Sequence, residues 1–306
     1  MAIRFDERVV IVTGSGNGLG RSHALEFARR GARVVVNDLG AARDGSGASS
    51  QAADEVVDEI RQAGGEAIAN GANVTDYAQV RAMVDEAMDK WGRVDVLVNN
   101  AGILRDKTFL KMELADFQVV VDVHLNGAVN CTKAVWERMR EQQYGRIVMT
   151  SSSSGIYGNF GQTNYGAAKM ALVGLMNSLA LEGEKYGIRV NALAPIAATR
   201  MTEDLMTPDV LSLLQPEAVT PAVIFLAGED APTRQIVAAG AGVFARIAIQ
   251  ETPGVFLAPD VRDAEHVASM WQQIAATAGQ NELSAGGEQT MKFLRKAATE
   301  LGIKLG

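Results

Sequence analysis

The chain has 306 residues, 47% of them hydrophobic and 21% charged, and a formal net charge of −7. That is apolar material for one large domain or two small ones, and an acidic balance without any dense basic cluster argues against nucleic acid or an anionic membrane surface as a partner. The single cysteine, Cys131, excludes an intramolecular disulfide and suits a reducing compartment.

Along the chain, the first ten residues, MAIRFDERVV, are not expected to act as a secretory leader, because Arg4, Asp6, Glu7 and Arg8 interrupt any apolar run. RVVIVTG, from Arg8 to Gly14, reads as a strand and is followed by helical periodicity from Gly18 to Arg30. ARVVVND, from Ala32 to Asp38, is a second strand, and GAARDGSGASS, from Gly40 to Ser50, is a flexible insertion. EAIANGANV, VDVLVNNAG, GRIVMTSS and IRVNALAP supply four more strands, each separated by a helical pattern. Strands this apolar, with little alternation, belong to a parallel sheet covered on both faces. The expected fold is therefore α/β, a Rossmann-type doubly wound parallel sheet forming a single domain with a helical C-terminal extension. The boundaries are 1–245 for the domain and 246–306 for the extension, the latter read as two helices within Asp260–Gly306 packed on the domain. VTPAVIFLAG is too short to span a bilayer. His23, His124 and His266 lack metal-ligand spacing, so no metal is expected.

TGSGNGLG, from Thr13 to Gly20, sits where the first strand turns into the first helix. Glycines there let the backbone turn tightly and approach a pyrophosphate, whose charge the helix N-terminus favours. Gly14, Asn17, Gly18, Leu19 and Gly20 are the residues that would do so. Asp38 ends the second strand, 24 residues after Gly14. Its carboxylate can accept from ribose hydroxyls and would repel a 2′-phosphate, and neither Asn17 nor Leu39 supplies a cation to rescue that phosphate. NAD is accordingly expected over NADP.

SSSSGIYGNFGQTNYGAAK, from Ser151 to Lys169, carries a tyrosine and a lysine four apart, Tyr165 and Lys169. On a helix they share one face, and an ammonium beside a phenol favours the phenolate. Spacing alone leaves two readings open, an ordinary helix face and a proton-transfer site.

Taken as an ordered set, TGSGNGLG, Asp38, NNAG at Asn99 to Gly102, a serine after the fifth strand, YGAAK, and VNALAP at Val190 to Pro195 resemble the short-chain dehydrogenase/reductase family over roughly residues 5 to 240. VVVNDLG, NNAGILRDK, YGRIVMTSSSSGIYGNFGQTNY and APIAATRMT are similar to the dehydrogenase domain of the peroxisomal multifunctional enzyme type 2, which oxidises (3R)-hydroxyacyl-CoA esters and is also known as a 17β-hydroxysteroid dehydrogenase. The resemblance implies that Tyr165 exchanges a proton with the substrate oxygen, that Lys169 lowers its pKa and holds the nicotinamide ribose, and that Ser152, thirteen residues before Tyr165, hydrogen-bonds the substrate oxygen. It further implies that Asn99, Ala101 and Gly102 line the cofactor site and that Thr199 contacts the nicotinamide amide. The chain is short and ends in GIKLG, which is no peroxisomal signal, so a stand-alone, cytoplasmic bacterial relative is expected.

Three departures from the family pattern stand out. His124, in HLNG, takes the place of the asparagine that reaches the lysine through a water, and a histidine there could hold the same water with an added pH dependence. Pro195-Ile196 replaces Pro-Gly. Asn73-Val74 replaces the Asp-Val that serves adenine, and the asparagine amide can still pair with it. For the substrate, Ile156, Tyr157 and Phe160 suggest an apolar wall joined by Ser154, Arg105 and Lys107 could meet coenzyme A phosphates, and 196–216 suggests a cover carrying Met201, Leu205 and Met206. The expected activity is NAD-dependent oxidation of a β-hydroxyacyl-CoA, including steroid side-chain CoA thioesters. A free hydroxysteroid or small-alcohol dehydrogenase is the alternative, and a catalytically silent NAD-binding regulator a third. A homodimer or homotetramer is expected from the family.

Overall fold

The computed structural model describes residues 2–42, 44–47, 49–197 and 207–305. They fall into two compact units, Met1–Ile247 and Ala248–Gly306. The first unit is built on one eight-stranded sheet: β1 (Val9–Thr13), β2 (Arg33–Asn37), β3 (Glu66–Asn70), β4 (Val96–Asn99), β5 (Gly145–Thr150), β6 (Ile188–Ile196), β7 (Ile236–Gly240) and β8 (Val243–Ile247). The spatial order is β3-β2-β1-β4-β5-β6-β7-β8, parallel throughout except for the last pair. This is the expected doubly wound α/β arrangement.

The reason lies in the strands themselves. All five residues of β1 are buried, as are all six of β5. In β1, Val9 and Ile11 pack into one core while Val10 and Val12 pack into the other. A strand whose alternate residues enter two cores has no wet face, and so reads as a continuous apolar run. On one side lie α3 (Tyr77–Trp91), α5 (Gly127–Gln142) and α7 (Thr163–Gly183), contributing Met83, Met139 and Met176. On the other lie α1 (Gly18–Arg29), α2 (Gln51–Gln62) and α9 (Thr220–Ala227), contributing Phe27, Ile60 and Val223. Among the described residues the other α-helices of this unit are α4 (Leu114–Val121), α6 (Ser153–Tyr157) and α8 (Pro208–Leu213). Between α4 and α5, Asp122–Asn126 form a π-helical turn, so 114–142 runs as one helix with a widened middle.

β7 and β8 are not among the strands expected from the sequence. Three of the five residues of IVAAG are small, and β8 is an edge strand with its first four residues exposed, so neither carries a two-faced apolar run. They are joined through Ala241 and Gly242, with φ of 50° and 75°, the positive pair that a two-residue hairpin turn requires. In the second unit, α10 (Ala264–Ser269), α11 (Trp271–Ile274) and α12 (Gly286–Leu301) replace the two helices expected there. Among the described residues no helix is long and apolar enough to cross a membrane.

All seven parallel strands end on the same side of the sheet. The chain leaves β3 at one edge and returns as β4 beside β1, so the loops after β1 and β4 part there. A crevice at such a reversal is where ligands bind in this architecture.

Candidate active site

A cleft of roughly 990 Å³ opens above the ends of β1, β4 and β5. Its floor is the turn from β1 into α1. Gly14 has φ +63°, and a Cβ there would stand 2.8 Å from the Ala101 Cα, so this turn can pass the β4 loop only as glycine. Gly20 is equally constrained, because its Cβ would strike the Gly14 carbonyl oxygen. Asn17 begins α1 without capping it through its side chain, and Asn17, Gly18, Leu19 and Gly20 all face the cleft. The first amides of α1 therefore point into open space with a positive end dipole, a cradle suited to a pyrophosphate.

Asp38 also lines the cleft. Its two carboxylate oxygens accept from the Gly16 and Gly40 backbone N–H groups, each at 2.7 Å. The carboxylate thus ties the glycine turn to the start of the 40–50 insertion while keeping lone pairs for ribose hydroxyls. Asn73 and the buried Val74 form the far end. The Asn73 Oδ1 is taken by the Thr75 N–H and hydroxyl, at 3.0 and 2.9 Å, which leaves its NH2 group as the hydrogen-bonding edge for a base. These features fit a dinucleotide cofactor: the glycine turn would take its pyrophosphate and Asp38 its adenosine ribose.

Ser152, Tyr165 and Lys169 line the same cleft, as does Pro195. Of the four consecutive serines, Ser151 is buried and donates to the Lys169 carbonyl oxygen at 2.8 Å, and Ser153 is exposed. Ser154 donates to Gln162 Oε1 at 2.8 Å. Ser152 caps α6, its Oγ accepting from the Ser154 N–H at 3.1 Å, and its hydroxyl acts on the Tyr165 phenol to hold its pKa down. Lys169 Nζ is buried, donates to the Thr150 carbonyl oxygen at 2.6 Å, and lies 5.5 Å from the Tyr165 ring centroid. Burial pushes the Lys169 pKa down to about 7. The Tyr165 pKa is raised, by burial first, with the Ser152 hydrogen bond opposing. The expected lowering of the phenol's pKa is thus not found: burial disfavours the charged form of both groups, raising the phenol and lowering the lysine.

His124 sits in the π turn with its ring edge-on to Tyr165, centroids 5.1 Å apart. Its Nε2 lies 2.8 Å from the Ile103 carbonyl oxygen and 3.1 Å from the Ile103 nitrogen. Burial, and then the charge of Lys169, hold its pKa well below the ordinary value, so the ring is neutral. Gly102 makes room for it, since a Cβ there would run into the imidazole.

Several residues stand elsewhere than the sequence suggested. Asn99 does not line the cleft: its NH2 group donates to Thr132 Oγ1 at 3.2 Å and to Met149 Sδ at 3.3 Å. Asn100 faces the cleft instead and donates to the Thr13 and Gly14 carbonyl oxygens, both at 2.9 Å. A strand turns successive side chains to opposite faces, so of the two asparagines only one can face the ligand. Ile156 packs into the core, while Tyr157 and Phe160 are 74% and 89% exposed, and none of the three lines the cleft. The wall at that place is polar: Gln162 accepts from Ser154 and Asn159 and donates to Asp106 Oδ2 at 2.7 Å. Arg105 and Lys107 both pair with Asp116, at 2.9 Å each. Thr199, Met201, Leu205 and Met206 lie outside the described residues. Among the described residues no group of His, Cys, Asp and Glu could hold a metal ion.

The short chain dehydrogenase family model matches residues 8–209. The chain is 47% identical over 297 residues to peroxisomal multifunctional enzyme type 2 of Drosophila melanogaster, covering 95% of this chain and 49% of that protein. The full-length structure of the fly enzyme superimposes with a TM-score of 0.80 at 39% identity, over 96% of this chain and 50% of that one. The chain therefore spans about half the length of this multifunctional relative. A Mycobacterium tuberculosis protein named as a short-chain type dehydrogenase/reductase is 50% identical over 276 residues, covering 89% of this chain and 96% of its own. A 7α-hydroxysteroid dehydrogenase complexed with NADH and 7-oxo glycochenodeoxycholic acid superimposes with a TM-score of 0.70 at 32% identity, over 78% of this chain and 95% of that one.

Proposed function

The chain belongs to the short-chain dehydrogenase family and is an oxidoreductase, and on that premise we propose that it interconverts a secondary alcohol and a ketone with NAD, its substrate a β-hydroxyacyl-CoA. The observation that carries the reading is the convergence in one cleft of a phosphate cradle at Gly14–Gly20, the Asp38 carboxylate, and the Ser152–Tyr165–Lys169 group. When bound, NAD supplies the hydride acceptor for the carbinol carbon. The protein supplies the proton path and the geometry. Ser152 Oγ holds the substrate oxygen, and Tyr165 Oη takes its proton in oxidation and returns it in reduction. Lys169, as an ammonium, lies close enough to favour the phenolate, and its buried position keeps that attraction unscreened by water. Ala101, Gly102 and Pro195 bound the nicotinamide end, and Thr199 is assigned to its amide.

The CoA thioester is favoured by the similarity to multifunctional peroxisomal enzymes and by the polar wall of Asp106, Asn159 and Gln162, which offers partners to an amide-bearing arm. A second reading, a free hydroxysteroid as substrate, is favoured by the likeness to the 7α-hydroxysteroid dehydrogenase structure. NADH formation with a (3R)-hydroxyacyl-CoA, with the matching free hydroxy acid, and with hydroxysteroids separates the two. Turnover confined to free steroids would replace the first reading by the second. The reading places the chemistry in residues 1–245. It includes self-association, for which α7 offers an exposed stripe of Ala167, Met170, Gly174, Ser178 and Leu181.

A further inference from the structure

Two loops meet across the cleft. Ala41, Ala42 and Gly45 line it from the 40–50 insertion, and Ile103 and Arg105 line it from the loop after β4. Arg105 Nε donates to the Asp44 carbonyl oxygen at 3.0 Å. Gly45 packs on the buried Ile103, since a Cβ at Gly45 would stand 3.3 Å from two of its side-chain carbons. A bridge therefore joins the wall that follows Asp38 to the wall that follows Gly102.

The two ends of the bridge are held differently. On the β4 side, the Arg105 carbonyl oxygen accepts from the Asn164 NH2 group at 3.0 Å, and the Lys107 N–H donates to the Gly161 carbonyl oxygen, also at 3.0 Å. Asn164 is fully buried, and its Oδ1 accepts from the Tyr165 N–H at 2.8 Å, so this side is fixed to the helix that carries Tyr165. Asp116 aims the guanidinium through a second bond, at 2.9 Å. On the other side the insertion bonds to itself. The Ser49 N–H donates to the Leu39 carbonyl oxygen at 2.9 Å, and the Ala42 N–H to that of Ser46 at 2.7 Å. Asp44 Oδ1 accepts from the Ser46 N–H and hydroxyl, at 3.0 and 2.7 Å, which shapes the tip. At the base, Gly40 has φ +69° and a Cβ there would strike the Ser49 carbonyl oxygen, so glycine is required at the pivot. A loop closed on its own base can swing as a body without unfolding.

We propose that the loop tip at Asp44 and Gly45 gates the cleft, and that Arg105 is the positioning residue that latches it shut. The inference rests on the reading in which this cleft holds NAD, with Asp38 at the adenosine ribose. The latch bond joins two parts of this chain and uses no atom of the cofactor, so it holds in the empty and the loaded protein alike. Weakening it speeds entry and release together and leaves their ratio, the affinity, nearly unchanged. A residue that merely held the cofactor would slow release alone, and its loss would weaken binding.

Two proteins test this, with NADH as the probe and stopped-flow fluorescence as the readout. Arg105→Met keeps an aliphatic stem and removes the charge-assisted bond to Asp44. Its association and release rates are both expected to rise about 10-fold, with a dissociation constant within about twofold of the wild type. The second protein carries Gly45→Cys and Ile103→Cys, whose Cβ atoms would lie 4.0 Å apart, within reach of a disulfide. Cys131 is buried and its thiol is pushed up to about 12, so it stays out of the exchange. Comparing the oxidised and reduced forms of this one protein cancels the strain of a cysteine at the positive φ of Gly45. Oxidation is expected to slow NADH entry and release at least about 10-fold, and reduction to restore both. Unmoved rates in Arg105→Met, a rise in release alone, or equal exchange in the oxidised and reduced double variant overturns the gate. If Arg105→Met does not fold, the disulfide pair decides. A wild-type protein that gives no NADH signal at any concentration refutes the cofactor reading instead, so the two failures are distinct.

Discussion

Replacing Asp38 by asparagine is the sharpest perturbation of the cofactor end. The carboxylate accepts from two backbone N–H groups, Gly16 and Gly40, both at 2.7 Å. An asparagine has one acceptor oxygen and one NH2 group, so one of these N–H donors would face another donor. An unsatisfied buried or half-buried donor costs about 1–3 kcal/mol, and the remaining bond loses its charge assistance. The glycine turn and the 40–50 insertion should loosen together. NADH affinity is then expected to fall about 10- to 100-fold, at about 1.4 kcal/mol per decade. NADPH should lose much less, because removal of the charge also removes the repulsion of its 2′-phosphate. Fluorescence titration with both nucleotides, alongside a thermal melt, measures each part. An Asp38→Asn protein that binds NADH like the wild type and melts at the same temperature would refute the reasoning.

Other expectations follow from the same geometry. Tyr165→Phe keeps the ring against His124 and removes only the phenol, so turnover should fall about 10²- to 10⁴-fold with NADH affinity nearly unchanged; a loss confined to cofactor binding would contradict the assignment. Gly14→Ala forces a Cβ to 2.8 Å from the Ala101 backbone at positive φ, and NADH titration should show weakened binding in a protein of lowered melting temperature. Burial depresses the Lys169 pKa to about 7, so between there and its unfolded value the unfolded chain binds the extra proton. Folding stability should accordingly rise with pH across that window, by at most about 1.4 kcal/mol per pH unit. Denaturant titrations of the cofactor-free protein, wild type against Lys169→Met, check this, and equal slopes would count against it.

The sequence was most legible where burial is two-sided. VVIVT, RVVVN and GRIVMT announce central parallel strands because both faces of each are covered. The glycine turn was legible because its constraints are local, in the φ of Gly14 and the close approach at Gly20. β7 and β8 were not, since a strand of small residues and an exposed edge strand borrow their order from neighbours. The site divides the same way. Spacing brought Tyr165 and Lys169 onto one helix face, and the fold then set Ser152 against the phenol. Which of Asn99 and Asn100 faces the cleft depends on strand alternation at its last residue, and the motif alone could not fix it. Tyr157 and Phe160 suggest a substrate wall in the sequence because they are aromatic and close to the site along the chain. Whether a loop side chain points into a cleft or out to solvent depends on the neighbours that the loop meets, here Gln162 and Asp106.

The central claim is that this cleft moves a hydride and a proton on a β-hydroxyacyl-CoA. The most direct measurement is the initial rate of NADH formation from a (3R)-hydroxyacyl-CoA by the wild-type protein and by Tyr165→Phe at equal NAD saturation. The account predicts turnover in the first and a loss of at least about 10²-fold in the second. No NADH from the wild type, or equal rates in both proteins, would contradict it.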